Sequence, residues 1–205
     1  MLAYADGEVT AFELLLGRHE RGVYNFVYRS VHNADRAEEL TQEVFLRVVK
    51  NAKRYKRTAK FTTWLYTIAR NLCIDESRRR KHRGHMSLDA TLGDDEGGAT
   101  FKDRVTDHRA ESGAARRERA RFVEALQEGV DALPDEQREV FLLRHIEGLK
   151  FVEIADIVGV SENTIKSRMR YALAALRLHV ADFEGVSFDE GERDDVGDPD
   201  APEAL

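Results

Sequence analysis

Helical periodicity runs through most of this chain of 205 residues, and one long break divides it into two blocks. Apolar residues recur at steps of three and four on both sides of the break, which is the spacing of one helix face. Residues 84–115, between the blocks, are rich in Gly, Asp, Thr and Ala and have no periodicity. An aperiodic stretch of this length is unusual inside one compact domain. The pattern predicts an all-α chain: two small helical bundles joined by a flexible linker.

The charge distribution follows the same division. Residues 47–83 carry 13 basic and 2 acidic side chains, which the net charge of −6 for the whole chain conceals. A basic block of this size suits a polyanion such as nucleic acid. Residues 182–205 carry 10 acidic side chains and one basic, with little apolar content, and are predicted to be a disordered tail. The predicted domains are therefore 1–83 and 116–181, separated by an acidic linker at 84–115.

Several classes of protein are excluded by composition. No stretch approaches the roughly 20 apolar residues of a membrane span, and the first residues lack the pattern of a signal peptide. We therefore expect a cytoplasmic protein without membrane insertion. The single cysteine, Cys73, excludes a disulfide framework and a Cys-based zinc finger. His82 and His85, near Asp89, lack a fourth ligand, so no metal is predicted. Neither a phosphate loop nor a nucleophile elbow is visible, and we expect neither a catalytic residue nor a cofactor.

The sharpest local pattern lies in residues 151–177, FVEIADIVGVSENTIKSRMRYALAALR. Ala155 is small where two helices must cross closely, and Gly159 supplies the positive φ of a tight turn. Ser161 is a good N-cap for the helix that follows. This spacing predicts a helix-turn-helix, whose second helix reads the major groove of DNA. Its exposed front would consist of Asn163, Thr164, Lys166, Ser167, Arg168 and Arg170. The sequence leaves open which of these read bases and which hold phosphates.

The helix predicted over residues 35–50 has a wider apolar arc than its core stripe requires. Asp35 is its candidate N-cap, with Glu38 in the capping-box position. The core stripe consists of Ala37, Leu40, Val44 and Val48; beyond it lie Phe45, Leu46 and Val49, beside Glu39, Gln42 and Glu43. An exposed arc that mixes large apolar groups with acids suits a protein-docking surface. A wide core stripe with an ordinary solvated face is the alternative.

The segment 50–83 combines cations with aromatic residues. Cations neutralise phosphates, and aromatic rings stack on unpaired bases, so the combination suits single-stranded or melting DNA. The alternative places Phe61 and Trp64 in the core, on the stripe of Leu65 and Ile68, and for Trp64 we favour that alternative. For Tyr55 and Tyr66, which lie off the stripe, the two interpretations stay open.

Three segments in this order carry a family resemblance: AEELTQEVFLRVVKN, FTTWLYTIARNLCIDESRRRK and ALPDEQREVFLLRHIEGLKFVEIADIVGVSENTIKSRMRYALAALR. Together they resemble the extracytoplasmic-function sigma factors of bacteria. The resemblance covers about residues 10–83 and 116–178. That family has two helical domains, region two and region four, which dock on core RNA polymerase and confer promoter recognition.

The resemblance implies a role for each segment. The helix at 35–50 would bind the clamp helices of the largest polymerase subunit, through Glu39, Gln42, Glu43 and Leu46. The segment 56–80 would recognise and open the minus-ten element of promoter DNA, through Lys56, Lys60, Asn71, Asp75, Arg78 and Arg79. The helix that begins at Ser161 would read the minus-thirty-five element through the six residues of its front. The linker would run through the polymerase cleft, and an anti-sigma factor is a further partner that the family allows.

Two other functions fit parts of the pattern. An autonomous helix-turn-helix regulator would use residues 1–83 as a sensing or dimerising domain and would bind duplex DNA without polymerase. A sigma-like module could instead sequester polymerase or an anti-sigma factor without initiating transcription. The basic, aromatic segment 50–83 counts against both, since neither needs to melt DNA. The acidic tail departs from the family pattern and could compete for the basic block.

Overall fold

The computed structural model describes residues 1–56, 60–84 and 113–183, apart from the side chains of 82–84 and 113–115. Its helices are α1 (Leu2–Ala5), α2 (Val9–Val31), α3 (Ala34–Lys50), α4 (Phe61–Gly84), α5 (Gly113–Ala132), α6 (Asp135–Phe141), α7 (Phe151–Val158) and α8 (Glu162–His179). A 3₁₀ turn (Ala52–Arg54) follows α3, and a π turn (Leu142–Ile146) follows α6. These ranges contain no strand, which confirms the all-α prediction. Most of the predicted linker, at 85–112, and the tail from 184 onward lie outside the described residues.

The first domain is built from α2, α3 and α4, and a tight connection joins its first two helices. His32 has φ 51°, in the left-handed region that ends α2. The Asn33 side chain then accepts a hydrogen bond of 2.8 Å from the backbone N–H of Arg36. Asn33 is therefore the N-cap of α3, and the prediction that Asp35 caps this helix is wrong. Asn and Asp cap helices about equally well. Because α2 ends at the left-handed His32 and α3 begins at Ala34, the residue at the capping position is Asn33.

The apolar stripe of α3 faces the core as predicted: Ala37, Leu40, Val44 and Val48 are all buried. Phe45 is also buried, at 6% exposure, so it belongs to the core and not to the docking arc. Leu46, its neighbour, is 51% exposed. The α3 helix thus has a wider core stripe than predicted and still leaves one large apolar side chain in solvent.

The second domain contains the predicted helix-turn-helix in α7 and α8. Gly159 has φ 77°, and the Ser161 hydroxyl accepts a hydrogen bond of 3.2 Å from the backbone N–H of Thr164. Ile154, Ala155, Ile157 and Val158 of α7 and Ile165, Met169, Ala172, Leu173 and Leu176 of α8 are buried. The turn, the cap and the inward faces all agree with the prediction.

The two domains pack against each other, on which the sequence was silent. Helix α4 of the first domain lies on α7 of the second, and the buried apolar side chains of both form one continuous cluster. Phe26 and Leu142 line the same junction from opposite domains. Two domains that are separate in the sequence therefore share one apolar core in the structure.

No helix in the described part of the chain is long and apolar enough to cross a bilayer.

Candidate nucleic-acid interface

The front of α8 presents three side chains directly to solvent: Asn163, Lys166 and Arg170 are exposed. Lys166 pairs with Glu162 one turn earlier, at 2.7 Å. The Arg170 guanidinium lies over the ring of Tyr171, 5.4 Å from its centroid. Exposed pairs of this kind contribute little stability and are readily exchanged for other partners. These three side chains are therefore available to a polyanion.

Of the other three predicted residues of α8, Thr164 and Arg168 have structural partners. The Thr164 hydroxyl lies 2.8 Å from the Ser161 hydroxyl, within the cap of the helix. Arg168 is 19% exposed and forms an ion pair of 2.6 Å with Glu136 at the start of α6. Ser167 is half-buried. The structure thus divides the predicted front into an outward row and a less exposed row, in which Thr164 and Arg168 also stabilise the domain.

The predicted minus-ten residues are spread along α4 and the segment before it. Lys56, Asn71, Arg78 and Arg79 are exposed, and Asp75 is half-buried. Lys60 differs from them, because its ammonium group lies 3.3 Å from the carboxylate of Glu153, in α7. Four of the residues therefore lie on α4, and Lys60 joins the set to the second domain just before that helix begins.

The aromatic residues of this segment fall into two groups. Tyr55, Phe61 and Trp64 form a cluster with ring centroids 5.1–6.1 Å apart. Tyr55 and Trp64 are half-buried there, so part of each residue stays accessible to solvent. Tyr66 is completely buried and packs edge-on against Phe26. Its ring is part of the core and is closed to a nucleic-acid base in this structure.

The predicted docking face of α3 is an exposed leucine among acids. Gln42 is exposed, as is Leu46, and the Glu39 side chain is 64% exposed. Arg47 donates to the carboxylate of Glu43 at 2.9 Å, and this hydrogen bond lowers the pKa of Glu43. The four side chains thus form a surface that combines apolar area with negative charge. We call Glu39, Gln42, Glu43 and Leu46 the α3 surface.

Arg36 supports this surface from behind. Its guanidinium donates both to Glu39 and, at 2.6 Å, to Glu76 of α4, whose side chain is 9% exposed. These hydrogen bonds raise the pKa of Arg36 above its usual value. The α3 surface is therefore fixed relative to α4 by an ion pair whose acid, Glu76, is buried.

Sequence reasoning missed the polar residues between the domains. Arg29 pairs with Asp131 at 2.7 Å, and Arg70 pairs with Glu139 at 2.6 Å. Burial raises the pKa of Glu139, against the opposing effect of Arg70. Pairs separated by 102 and 69 positions leave no local signal in a sequence. A basic residue inside an amphipathic helix was the only available hint.

His32 and Arg138 meet at the same junction. Arg138, 8% exposed, directs its guanidinium at Nε2 of His32 and also donates to the backbone carbonyl of Leu133 at 3.0 Å. Because a guanidinium only donates, Nε2 of His32 accepts and the ring is neutral. Loss of solvent, followed by the charge of Arg138, lowers the pKa of His32.

Comparison with known proteins agrees with this architecture. Residues 15–83 match the Sigma-70 region 2 family, and residues 123–176 match Sigma-70, region 4. The ECF RNA polymerase sigma factor SigW of Bacillus subtilis is 32% identical over 177 residues, or 86% of this chain and 92% of that protein. The ECF sigma factor SigK of Mycobacterium ulcerans is 34% identical over 84% of this chain and 87% of its own length.

The chain belongs to the extracytoplasmic-function sigma factors. It is an initiation factor that binds RNA polymerase and directs promoter-specific transcription.

Two solved structures share the fold. The sigma factor RpoE of Bartonella quintana, in complex with the anti-sigma factor NepR, has a TM-score of 0.62 at 23% identity and covers 84% of this chain and 98% of its own. CnrH, in complex with the cytosolic domain of CnrY, has a TM-score of 0.58 at 22% identity and covers 89% and 96%. Their two-domain helical architecture is the one described above.

Proposed function

We propose that three separate surfaces of this sigma factor divide the work of initiation. The first domain, 1–83, would contact polymerase through the α3 surface and the minus-ten element through α4. The second domain, 116–181, would contact the minus-thirty-five element through α8. The observation that carries this division is the exposed front of α8, held by a capped helix-turn-helix and opposite a fully buried inner face.

The α3 surface suits a basic, partly apolar partner such as the clamp helices of polymerase. Leu46 supplies an apolar contact at the centre, and Glu39 and Glu43 surround it with negative charge. Interfaces take most of their binding energy from a few such central side chains, with charges that fix register and partner choice.

The outer side of α4 suits opened DNA. Lys56, Arg78 and Arg79 would neutralise phosphates, while Asn71 and Asp75 can hydrogen-bond to base edges. Tyr55 and Trp64, which are half-buried, would support an unpaired base by stacking. Lys60 would join this set once Glu153 releases it.

On α8, Asn163 is positioned to read a base edge at the first turn of the helix, and Lys166 and Arg170 to hold phosphates. Thr164, Ser167 and Arg168 would contact the DNA backbone along the edge of the major groove. The positive end of the helix dipole lies at Ser161 and favours phosphate there.

Partners and location follow from the family. The relatives solved with anti-sigma factors support an anti-sigma factor as a regulatory partner of this chain. Work with core RNA polymerase and promoter DNA supports a cytoplasmic location. It would need no cofactor and no metal of its own, and the chemistry would belong to polymerase. His85 and Asp89, weighed above as metal ligands, lie outside the described residues.

Reconstituted transcription tests this function. The purified full chain is combined with bacterial core polymerase on a pool of genomic fragments from the source organism. We expect defined transcripts only when both are present, and their start sites would reveal the promoter. Tight binding to duplex DNA without polymerase, and no transcripts with it, would favour an autonomous regulator.

A matched pair of variants locates the polymerase surface within the same assay. Leu46→Asp removes the apolar centre of the α3 surface, whereas Leu178→Asp alters a leucine that is 80% exposed on α8. We expect transcripts to be lost with the first and retained with the second, with both chains folded by circular dichroism. An equal loss of transcripts with both variants would show that the change at Leu46 acts through the solubility of the chain and not through a polymerase contact.

A further inference from the structure

The first turns of α5 carry arginines that the rest of the described chain leaves uncovered. Residues 116–121 read RRERAR, with four arginines and one acid. Arg116, Arg117 and Arg121 are exposed, and none of the three forms an ion pair with another described residue. We call these three residues the arginine surface of α5. A surface of this kind attracts an anionic partner, and the described residues do not supply one.

The chain leaves the second domain directly beside this surface. The ring of Phe183, which follows α8, packs edge-on against Phe122 of α5, with ring centroids 5.5 Å apart. Two turns further along α5, a Cβ at Gly129 would lie 3.0 Å from the Cβ of His179. Helices α5 and α8 are therefore antiparallel, and residues 116–121 extend past the end of α8. Residue 184 follows Phe183 at this same end of the domain.

The distance from Phe183 to the arginine surface is short for an extended chain. Arg116 lies six residues before Phe122, which is about 9 Å along a helix. An extended chain covers that distance in about three residues. Asp189 and Glu190 follow Phe183 by six and seven residues, so their carboxylates can reach every arginine of the surface.

Residues 184–205, which we call the acidic segment, have the opposite charge. They contain nine acidic side chains and one basic. Arginine and carboxylate form charge-assisted, often bidentate hydrogen bonds, which are among the stronger polar contacts in proteins. Attachment through Phe183 presents the carboxylates to the arginine surface at an effective concentration of about millimolar, which favours a contact that would be weak between separate molecules.

The basic stretch of the first domain, residues 47–83, is a less suitable partner for the acidic segment. Lys60 and Arg70 are already paired with Glu153 and Glu139 of the second domain. Arg80 donates to the backbone carbonyl of Val31 at 3.0 Å. The arginine surface has no such engagement among the described residues, and the acidic segment begins next to it.

We propose that the arginine surface of α5 is the docking site of the chain's own acidic segment. Bound there, the carboxylates occupy cations that would otherwise hold nucleic acid of any sequence, away from the recognition helix α8. The docking rests on the charges and on the contact between Phe122 and Phe183, and it does not depend on the function proposed above. Its tests use neither polymerase nor a promoter, so the two proposals can fail separately.

Paramagnetic broadening of amide signals locates the acidic segment in the full chain. A nitroxide label is attached to Ala201→Cys, far along the segment from Phe183. Burial raises the pKa of Cys73 to about 12, so its thiol stays unreactive toward the labelling reagent. We expect the label to broaden the signals of residues 116–121. When all three arginines of the surface are changed to Gln, the intensity of these signals should recover at least about two-fold.

A matched variant tests the rival surface. Lys53→Gln, Arg78→Gln and Arg79→Gln remove the same number of exposed cations from the first domain. We expect this variant to leave the broadening at 116–121 unchanged. Broadening of residues 78–81 in place of 116–121 would show that the segment binds the first domain and would overturn the proposal. Broadening at 116–121 that persists without the three arginines would also overturn it, because attachment alone would then explain the proximity.

The effect on nucleic acid is tested with a duplex of random sequence and the chain alone, by fluorescence anisotropy. One variant neutralises four acids of the segment: Asp189→Asn, Glu190→Gln, Asp194→Asn and Asp195→Asn. We expect it to bind the duplex at least about five-fold more tightly than the parent at about 50 mM salt. In a chain that also lacks the three arginines, the same four changes should alter the affinity less than about two-fold. An equal gain in both backgrounds would show that the acids act through net charge and would refute the occupation of the arginine surface.

Discussion

The turn of the helix-turn-helix allows a quantitative test of the recognition domain. Gly159 has φ 77°, and a Cβ built there meets no atom within 4 Å. The cost of a substitution in folding free energy therefore comes from the backbone conformation alone. An L-residue in the left-handed region costs roughly 1–2 kcal/mol. Alanine recovers about 0.4–1 kcal/mol by restricting the unfolded chain. We therefore expect Gly159→Ala to lower the free energy of unfolding by about 1 kcal/mol, and Gly159→Asn by less, since Asn tolerates this region.

Urea denaturation of the full chain, followed by far-ultraviolet circular dichroism, measures these differences. Gly17→Ala in α2 is the matched control, because its Cβ also meets nothing within 4 Å but its backbone is helical. That change should raise stability by about 0.5–1 kcal/mol. A Gly159→Ala chain as stable as the parent, beside the expected gain at residue 17, would refute the left-handed turn.

Three further predictions concern single side chains. Leu46→Ala should weaken binding to core polymerase at least about ten-fold, measured by fluorescence anisotropy, while Leu178→Ala leaves it unchanged. Lys166→Ala should reduce the slope of log affinity against log salt by about one for the minus-thirty-five duplex, without changing sequence preference. His32, which Arg138, Asp131, Arg80 and Arg29 face, has a lowered pKa in the folded chain. Its contribution to stability is therefore complete above pH about 6.5 and is lost as the pH falls toward the folded value. Asparagine tolerates the left-handed backbone at residue 32. The urea midpoint of the His32→Asn chain should therefore vary less with pH over this range than that of the parent.

The sequence predicted best where the determinants are local. Gly159, Ser161 and the inward residues of α8 lie within one or two turns of each other, and their spacing alone specifies the turn, the cap and the buried face. Asn33 shows the limit even at short range. Two good capping residues stood close together, and the left-handed conformation of His32 decided between them.

The buried and exposed sides of α3 and α4 were harder to assign. Phe45 and Leu46 are adjacent apolar residues at the edge of a stripe, and the packing of the whole bundle decides which one is buried. Tyr66 lies off the predicted stripe, yet it is buried because Phe26 and the second domain close over it. An amphipathic pattern gives the centre of a helix face but not its width.

The contacts between the domains could not be predicted at all. Arg70 and Glu139 lie on opposite sides of residues 84–115, and each looks like an ordinary solvated charge on its own helix. Their contact depends on how two complete bundles fit together, including the close approach of the Glu147 carboxylate to Gly22 of α2. The sequence thus predicted the candidate surfaces one by one, whereas the packing of the two domains against each other could not be predicted from it.

Permanganate reactivity of promoter DNA tests the central claim most directly, because the reagent modifies thymines only where the duplex has opened. The full chain and core polymerase are incubated together and separately on the promoter found by transcription. Reactive thymines near the minus-ten element with both proteins, and with neither alone, would show that this chain directs polymerase to open the promoter. Protection of duplex DNA by the chain alone, with no reactive thymines when polymerase is added, would contradict the claim.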